Sequence, residues 1–133
     1  MSTLYSGTIT TAGTVVSSTM QHLHDKSIVG AVAIFDYGSG GTTCKAWLQT
    51  TPDDGTTWLD VANWAFTTAD ATRAFALGLP SFGTANLTPT DGSLADNGIV
   101  QFPIGDSARV KIVSTGTYAG TTTLNVHLVA KDF

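Results

Sequence analysis

The chain has 133 residues and a net charge of −4, with six Lys and Arg against ten Asp and Glu, and it is 12% charged and 42% hydrophobic. That length suits a single domain spanning 1–133, and low charge with high apolar content excludes a disordered chain. The scattered basic residues exclude a phosphate-binding surface, so no nucleic-acid partner is expected, and −4 is no more than solubility requires.

The opening Met1-Ser2-Thr3-Leu4-Tyr5-Ser6-Gly7 lacks the basic and apolar regions of a secretory signal, so synthesis in a reducing cytosol is expected. Runs at 4–10 and 14–18 alternate like strands, although 1–19 as a whole reads as an N-terminal arm. Residues 17–25 fit a two-turn helix behind Ser18 or an extended arm equally well. Within them His22 and His24 would point the same way on a strand, but neither Asp25 nor His127 has a spacing that supports it as a third metal ligand. No metal or other cofactor is expected.

The longest apolar run, 28–35, is far too short to cross a bilayer and reads as a buried strand. A further strand is predicted at 43–51, where Cys44 alternates with Ala46 and Leu48 as a small core residue. It is the only cysteine, so no intrachain disulfide can form.

Thr51-Pro52-Asp53-Asp54-Gly55-Thr56-Thr57-Trp58 is the most specific phrase in the chain. It resembles the Asp-box, Ser/Thr-x-Asp-x-Gly-x-Thr-Trp, of which propellers carry several copies and this chain one. As a structural turn, Asp53 would accept turn amides, Gly55 would take a positive φ and Trp58 would pack beneath. On the strand that follows, 57–66, simple alternation puts Trp58, Asp60, Ala62, Trp64 and Phe66 on one face. If Leu59 and Val61 face the core, Trp64 and Phe66 form an exposed partner patch; the other reading buries both faces.

Beyond a strand at 72–79, residues 80–98 break the spacing and read as a long contact loop, with Phe82, Asn86 and Leu87 as candidate partner contacts. Its stretch 91–98 is rich in oxygen ligands but lacks the order of a calcium loop. Strands are predicted again at 99–103, 108–114 and 122–130. In the last two, Ala108, Val110 and Ile112 oppose Arg109 and Lys111, and Leu124, Val126, Leu128 and Ala130 oppose Asn125, His127 and Lys131; a hairpin through 116–121 is expected. Eight or nine short strands at this spacing predict an all-β fold, an antiparallel β-sandwich or barrel.

No nucleophile elbow, zinc-protease helix motif, phosphate loop or dinucleotide fingerprint is present, so no catalytic residues are assigned and no enzyme or small-molecule substrate is expected.

Three segments together carry a family resemblance: the run 28–35; Ala46-Trp47-Leu48-Gln49-Thr50-Thr51-Pro52-Asp53-Asp54-Gly55-Thr56-Thr57-Trp58-Leu59-Asp60-Val61-Ala62; and Ala108-Arg109-Val110-Lys111-Ile112-Val113. The chain is similar to small tailed-bacteriophage virion structural proteins of the capsid decoration, or cement, type, over roughly residues 28–66 and 104–131. Asp54 stands where those proteins commonly have Gly, and 80–98 has no counterpart. The resemblance implies a jelly-roll-like sandwich, active as a homo-oligomer, that binds the major capsid protein on the outside of the virion shell. Shell contacts are expected from 1–19, 80–98 and the outward face of 57–66. The alternative is a carbohydrate- or receptor-binding module of a phage tail or fibre.

Overall fold

Threonine- and valine-rich runs that alternate in polarity gain most as pleated strands, where each buries one face. The computed structural model describes residues 2–21, 23, 28–77, 88–100 and 107–131, and every regular element among them is a strand. These are β1 (Ser2–Thr8), β2 (Gly13–Val16), β3 (Ile28–Asp36), β4 (Ser39–Gly40), β5 (Thr43–Thr50), β6 (Leu59–Phe66), β7 (Ala71–Leu77), β8 (Ala108–Thr115), β9 (Tyr118–Ala119) and β10 (Thr123–Lys131).

All pairings are antiparallel. One four-stranded sheet has the order β1-β10-β3-β7 and a second the order β2-β8-β5-β6, while β4 and β9 form a two-stranded ladder. Apart from the β5–β6 hairpin, each step from one long strand to the next passes between the four-stranded sheets. The β4–β9 ladder ties together two of these passages, β3 to β5 and β8 to β10. Its backbones approach so closely that a Cβ on Gly38 would collide with the carbonyl of Gly120.

Both sheets feed one core. Ala31, Ala33, Phe35, Leu124, Val126 and Leu128 come from the first, and Cys44, Ala46, Leu48, Val110, Ile112, Trp64 and Phe66 from the second. Phe35 stacks on Phe66 at 4.9 Å and meets the edge of Tyr118 at 5.8 Å, and Tyr118 donates its hydroxyl to Thr67 O at 2.7 Å. A buried phenol needs such an acceptor, and burial pushes its pKa up to about 12.

Several expectations change. The segment expected as an arm is built into the sheets: β1 pairs with β10 and β2 with β8, burying Leu4 and Ile9 on the way. Residues 17–21 form no helix; Met20 instead bridges to Ala108. The hairpin expected through 116–121 does not form, because β8 and β10 belong to different four-stranded sheets. Of the strand expected at 99–103, only Ile99 bridges, to Ala62; residues 101–103 lie outside the described residues.

Candidate functional site

A bulge in the β5–β6 hairpin decides what lies on each face. Leu48 pairs with Ala62 and Gln49 with Asp60, leaving Val61 as the extra residue. It reverses the alternation along β6. Trp64 and Phe66 therefore turn into the core, 3% and 2% exposed, which removes them from any partner surface. Asp60 goes to the opposite face, beside Gln49 and Arg109. Of the other expected contacts, Phe82, Asn86 and Leu87 lie outside the described residues, as do His22 and His24.

The outer face of the second sheet is covered by residues 88–100, which run over it as a strap. Asp60 is its anchor. Its carboxylate accepts the amides of Gly92 (2.8 Å), Ser93 (3.0 Å) and Leu94 (3.1 Å), the Thr90 hydroxyl (2.8 Å) and Gln49 Nε2 (2.9 Å). Burial alone would raise the Asp60 pKa, but the bonds from Gln49, Gly92, Thr90 and Leu94 outweigh it and hold the carboxyl below its ordinary value. The anion is thus fully used in holding backbone, not free to move a proton.

The rest of the strap is fixed in the same way. Trp47 Nε1 donates to Leu94 O at 3.0 Å, and the Asn97 amide donates to Asn63 Oδ1 at 2.8 Å. Lys45 pairs with Asp96 at 2.9 Å and Lys111 with Asp91 at 3.2 Å, on partly exposed side chains that add little stability singly. Three of the side-chain oxygens of 91–98 are therefore engaged within the protein: Asp91 Oδ1 by Gln49 and Lys111, Asp96 Oδ1 by Lys45 and Asn97 Oδ1 by the Ala65 amide.

At the end of the same hairpin lies the Thr51–Trp58 turn. Thr51 Oγ1 accepts the Gly55 amide at 2.8 Å and donates to Asp53 Oδ1 at 3.0 Å, and Asp53 Oδ1 accepts the Thr57 amide at 2.7 Å. These bonds, the one from Thr57 foremost, lower the Asp53 pKa. Gly55 has the expected positive φ of 99°, but Asp54 also lies in the left-handed region at 59°, so the departure from Gly is accommodated by an aspartate, which tolerates it best after asparagine and glycine. Trp58 donates Nε1 to Gly55 O at 3.1 Å and carries the Arg109 guanidinium 4.1 Å above its ring. Arg109 Nε in turn donates to Gln49 Oε1 at 2.9 Å, so turn, sheet and strap form one connected polar network.

No family model, no curated protein and no solved structure matches this chain. The arrangement itself must carry the functional reading. It brings Asp53, Gly55 and Trp58 together as expected, and separates Trp64 and Phe66 from them. Sequence reasoning missed Asp60 and Gln49 as strap anchors; the Asp60-Val61 pair inside an apolar run was the available sign, since a carboxylate buried in a strand requires several donors.

Clefts flank Trp58. One of about 340 Å³ is lined by Thr19, Gln21, Thr51, Asp54, Gly55, Trp58 and Ser107, and one of about 270 Å³ includes Thr57, Pro89 and Asp91. Cys44 is fully buried, and desolvation pushes its thiol up to about 12, so it is no nucleophile.

Proposed function

We propose that this chain is a non-enzymatic virion structural protein, a decoration or cement protein that binds the outer shell of a bacteriophage capsid and stabilises it. The observation that carries the reading is how the resembling segments fold. The 46–62 phrase becomes the β5–β6 hairpin with its turn satisfied internally, and 108–113 becomes β8 directly beside it. Polar groups that in a binding pocket would await a ligand here fasten strap and turn to the sheet, which suits a part that bears load.

The finer fold assignment is a jelly-roll β-sandwich. The two strand orders and the repeated passage of the chain between the sheets support it. In this reading the protein acts in the virion after synthesis in the bacterial cytoplasm. Its partner is the major capsid protein, it works as a homo-oligomer, and it engages no nucleic acid, membrane, small molecule or cofactor. Many shallow contacts repeated over a shell give high avidity without a deep pocket.

The test is co-sedimentation of the purified chain with mature capsid shells that lack it, followed by heating of the shells. Saturable binding and a raised shell-disruption temperature are expected; no binding at micromolar concentrations would falsify the reading. The second reading, a glycan- or receptor-binding module of a tail or fibre, is favoured by the polar cleft beside Trp58. However, Arg109 already occupies one face of that ring. A glycan array with hits that Trp58→Ala abolishes would transfer the assignment to that reading.

A further inference from the structure

Four strands stand at sheet edges: β1 and β7 in one sheet, β2 and β6 in the other. An open edge offers a row of unpaired amides and carbonyls, and proteins normally block it by a cover, a bulge or a charge. Three of the four edges have such a device. The strap covers β6: the amides of Asp60, Asn63 and Ala65 donate to Thr90 O, Gly98 O and Asn97 Oδ1. A register shift between Thr3 and Tyr5 kinks β1. Exposed Arg73 lies within β7.

Among the described residues, the fourth edge, β2, has none. Gly13-Thr14-Val15-Val16 carries no charge, no proline and no register shift, and Val15 and Val16 are 47% and 45% exposed. No Asp, Glu, Lys or Arg precedes Asp25 in the chain, and the cation opposite Val16, Lys111 of β8, is paired with Asp91. The ladder also fixes which groups point outward. The Ser17 amide donates to Val110 O at 2.8 Å, so Ser17, Val15 and Gly13 bond inward to β8. Thr14 and Val16 then present their amides and carbonyls to the open side.

We infer that β2 is a self-association edge, pairing antiparallel with β2 of a second copy about a two-fold axis through Val15. This deepens the homo-oligomer part of the proposed function. The occupant follows from charge and symmetry. Two identical surfaces meet without repulsion only when they are neutral or self-complementary; β2 itself carries no charge, and Lys111 opposite Val16 is neutralised by Asp91. In the register centred on Val15, Thr14 faces Val16 of the second copy in hydrogen-bonded pairs, giving four main-chain bonds. The two valines meet across the axis in the closer, non-hydrogen-bonded pair. The joined sheets would run continuously through eight strands. So short a contact gives a weak dimer, in the range of about 10 μM to 1 mM.

Sedimentation velocity over a concentration series tests this, with Val15→Lys, Val15→Glu and Thr14→Pro. The wild type is expected to dimerise reversibly, and each variant alone to remain monomeric with an unchanged melting temperature. An equimolar mixture of V15K and V15E is expected to recover the dimer, because only the proposed register places position 15 opposite itself. Independently of any variant, a mixture of differently isotope-labelled wild-type chains should give intermolecular contacts between Val15 methyl groups. A wild type that stays monomeric to about 1 mM, or variants that associate as the wild type does, would overturn the inference. Shell binding by V15K is measured separately: retained binding with lost dimerisation leaves the decoration reading intact, and lost shell binding by a wild type that still dimerises removes that reading alone.

Discussion

Asp60 shows how one side chain can organise a surface. Three successive amides, a hydroxyl and a carboxamide converge on its two oxygens, and in each case the carboxylate accepts. Asp60→Asn keeps the shape, but it replaces one acceptor oxygen by a donor and removes the charge that strengthens the remaining bonds. The expected cost is about 2–4 kcal/mol, with faster hydrogen exchange at Gly92, Ser93 and Leu94 than at the core strands. Urea unfolding curves and amide exchange measured on the same samples check this; equal protection of the strap in both proteins would refute the anchor role. The pH dependence has a definite sign. The folded pKa lies below the ordinary 3.8, so the stabilisation is complete above 3.8 and is lost as pH falls through the folded value. Acid titration of wild type and D60N should therefore converge below that point, with the gap open at pH 5 to 7.

At the scale of elements, the strand positions were legible and their partners were not. Alternation located β3, β5, β8 and β10 to within a residue or two, because one face of each is buried and its side-chain period is two. Nothing in that period distinguishes a strand paired edge to edge from one in the other sheet, which is why β8 and β10 read as a hairpin. The bulge at Val61 was equally hidden: one extra residue reverses every later side chain, and it turned an expected aromatic patch into core. The turn was legible because its chemistry is local, from Thr51 to Trp58. The strap was not, since its anchor lies about thirty residues away in sequence. The N-terminal segment, read as an arm, is the case with the clearest consequence. Deleting 1–13 removes β1, with buried Leu4, Ile9 and the ladder to β10. Two large buried apolar side chains and a strand of pairings outweigh much of a net stability of about 5–15 kcal/mol. The truncated chain is therefore expected to be unfolded or to melt well below the intact one, as circular dichroism would show. A cooperative transition at the wild-type temperature would mean that β1 is dispensable after all.

For the molecule as a whole, connectivity sets how it must assemble. The first and last strands are neighbours, with Ser2 paired to Leu128, and β5 is paired with β8 across the entire turn, strap and β7 region. Almost no sheet can form from contiguous sequence; the β5–β6 hairpin is the exception, with its ends joined by the hydrogen-bonded turn. Closing long loops before any contact rewards them slows folding, so refolding is expected in about milliseconds to seconds rather than microseconds. The hairpin is the natural place for structure to begin, because it alone combines a short loop with core side chains on both strands. Replacing Gly55 by Ala strains a backbone at φ 99° in that turn, so it should slow refolding in proportion to its loss of stability. Gly38→Ala, which forces the β4–β9 crossing apart, should instead act mainly on the unfolding rate if that ladder closes late. Stopped-flow tryptophan fluorescence separates the two, since Trp64 becomes buried as the sheets meet and Trp47 as the strap docks. Equal partition of both effects between folding and unfolding would show that the hairpin has no priority.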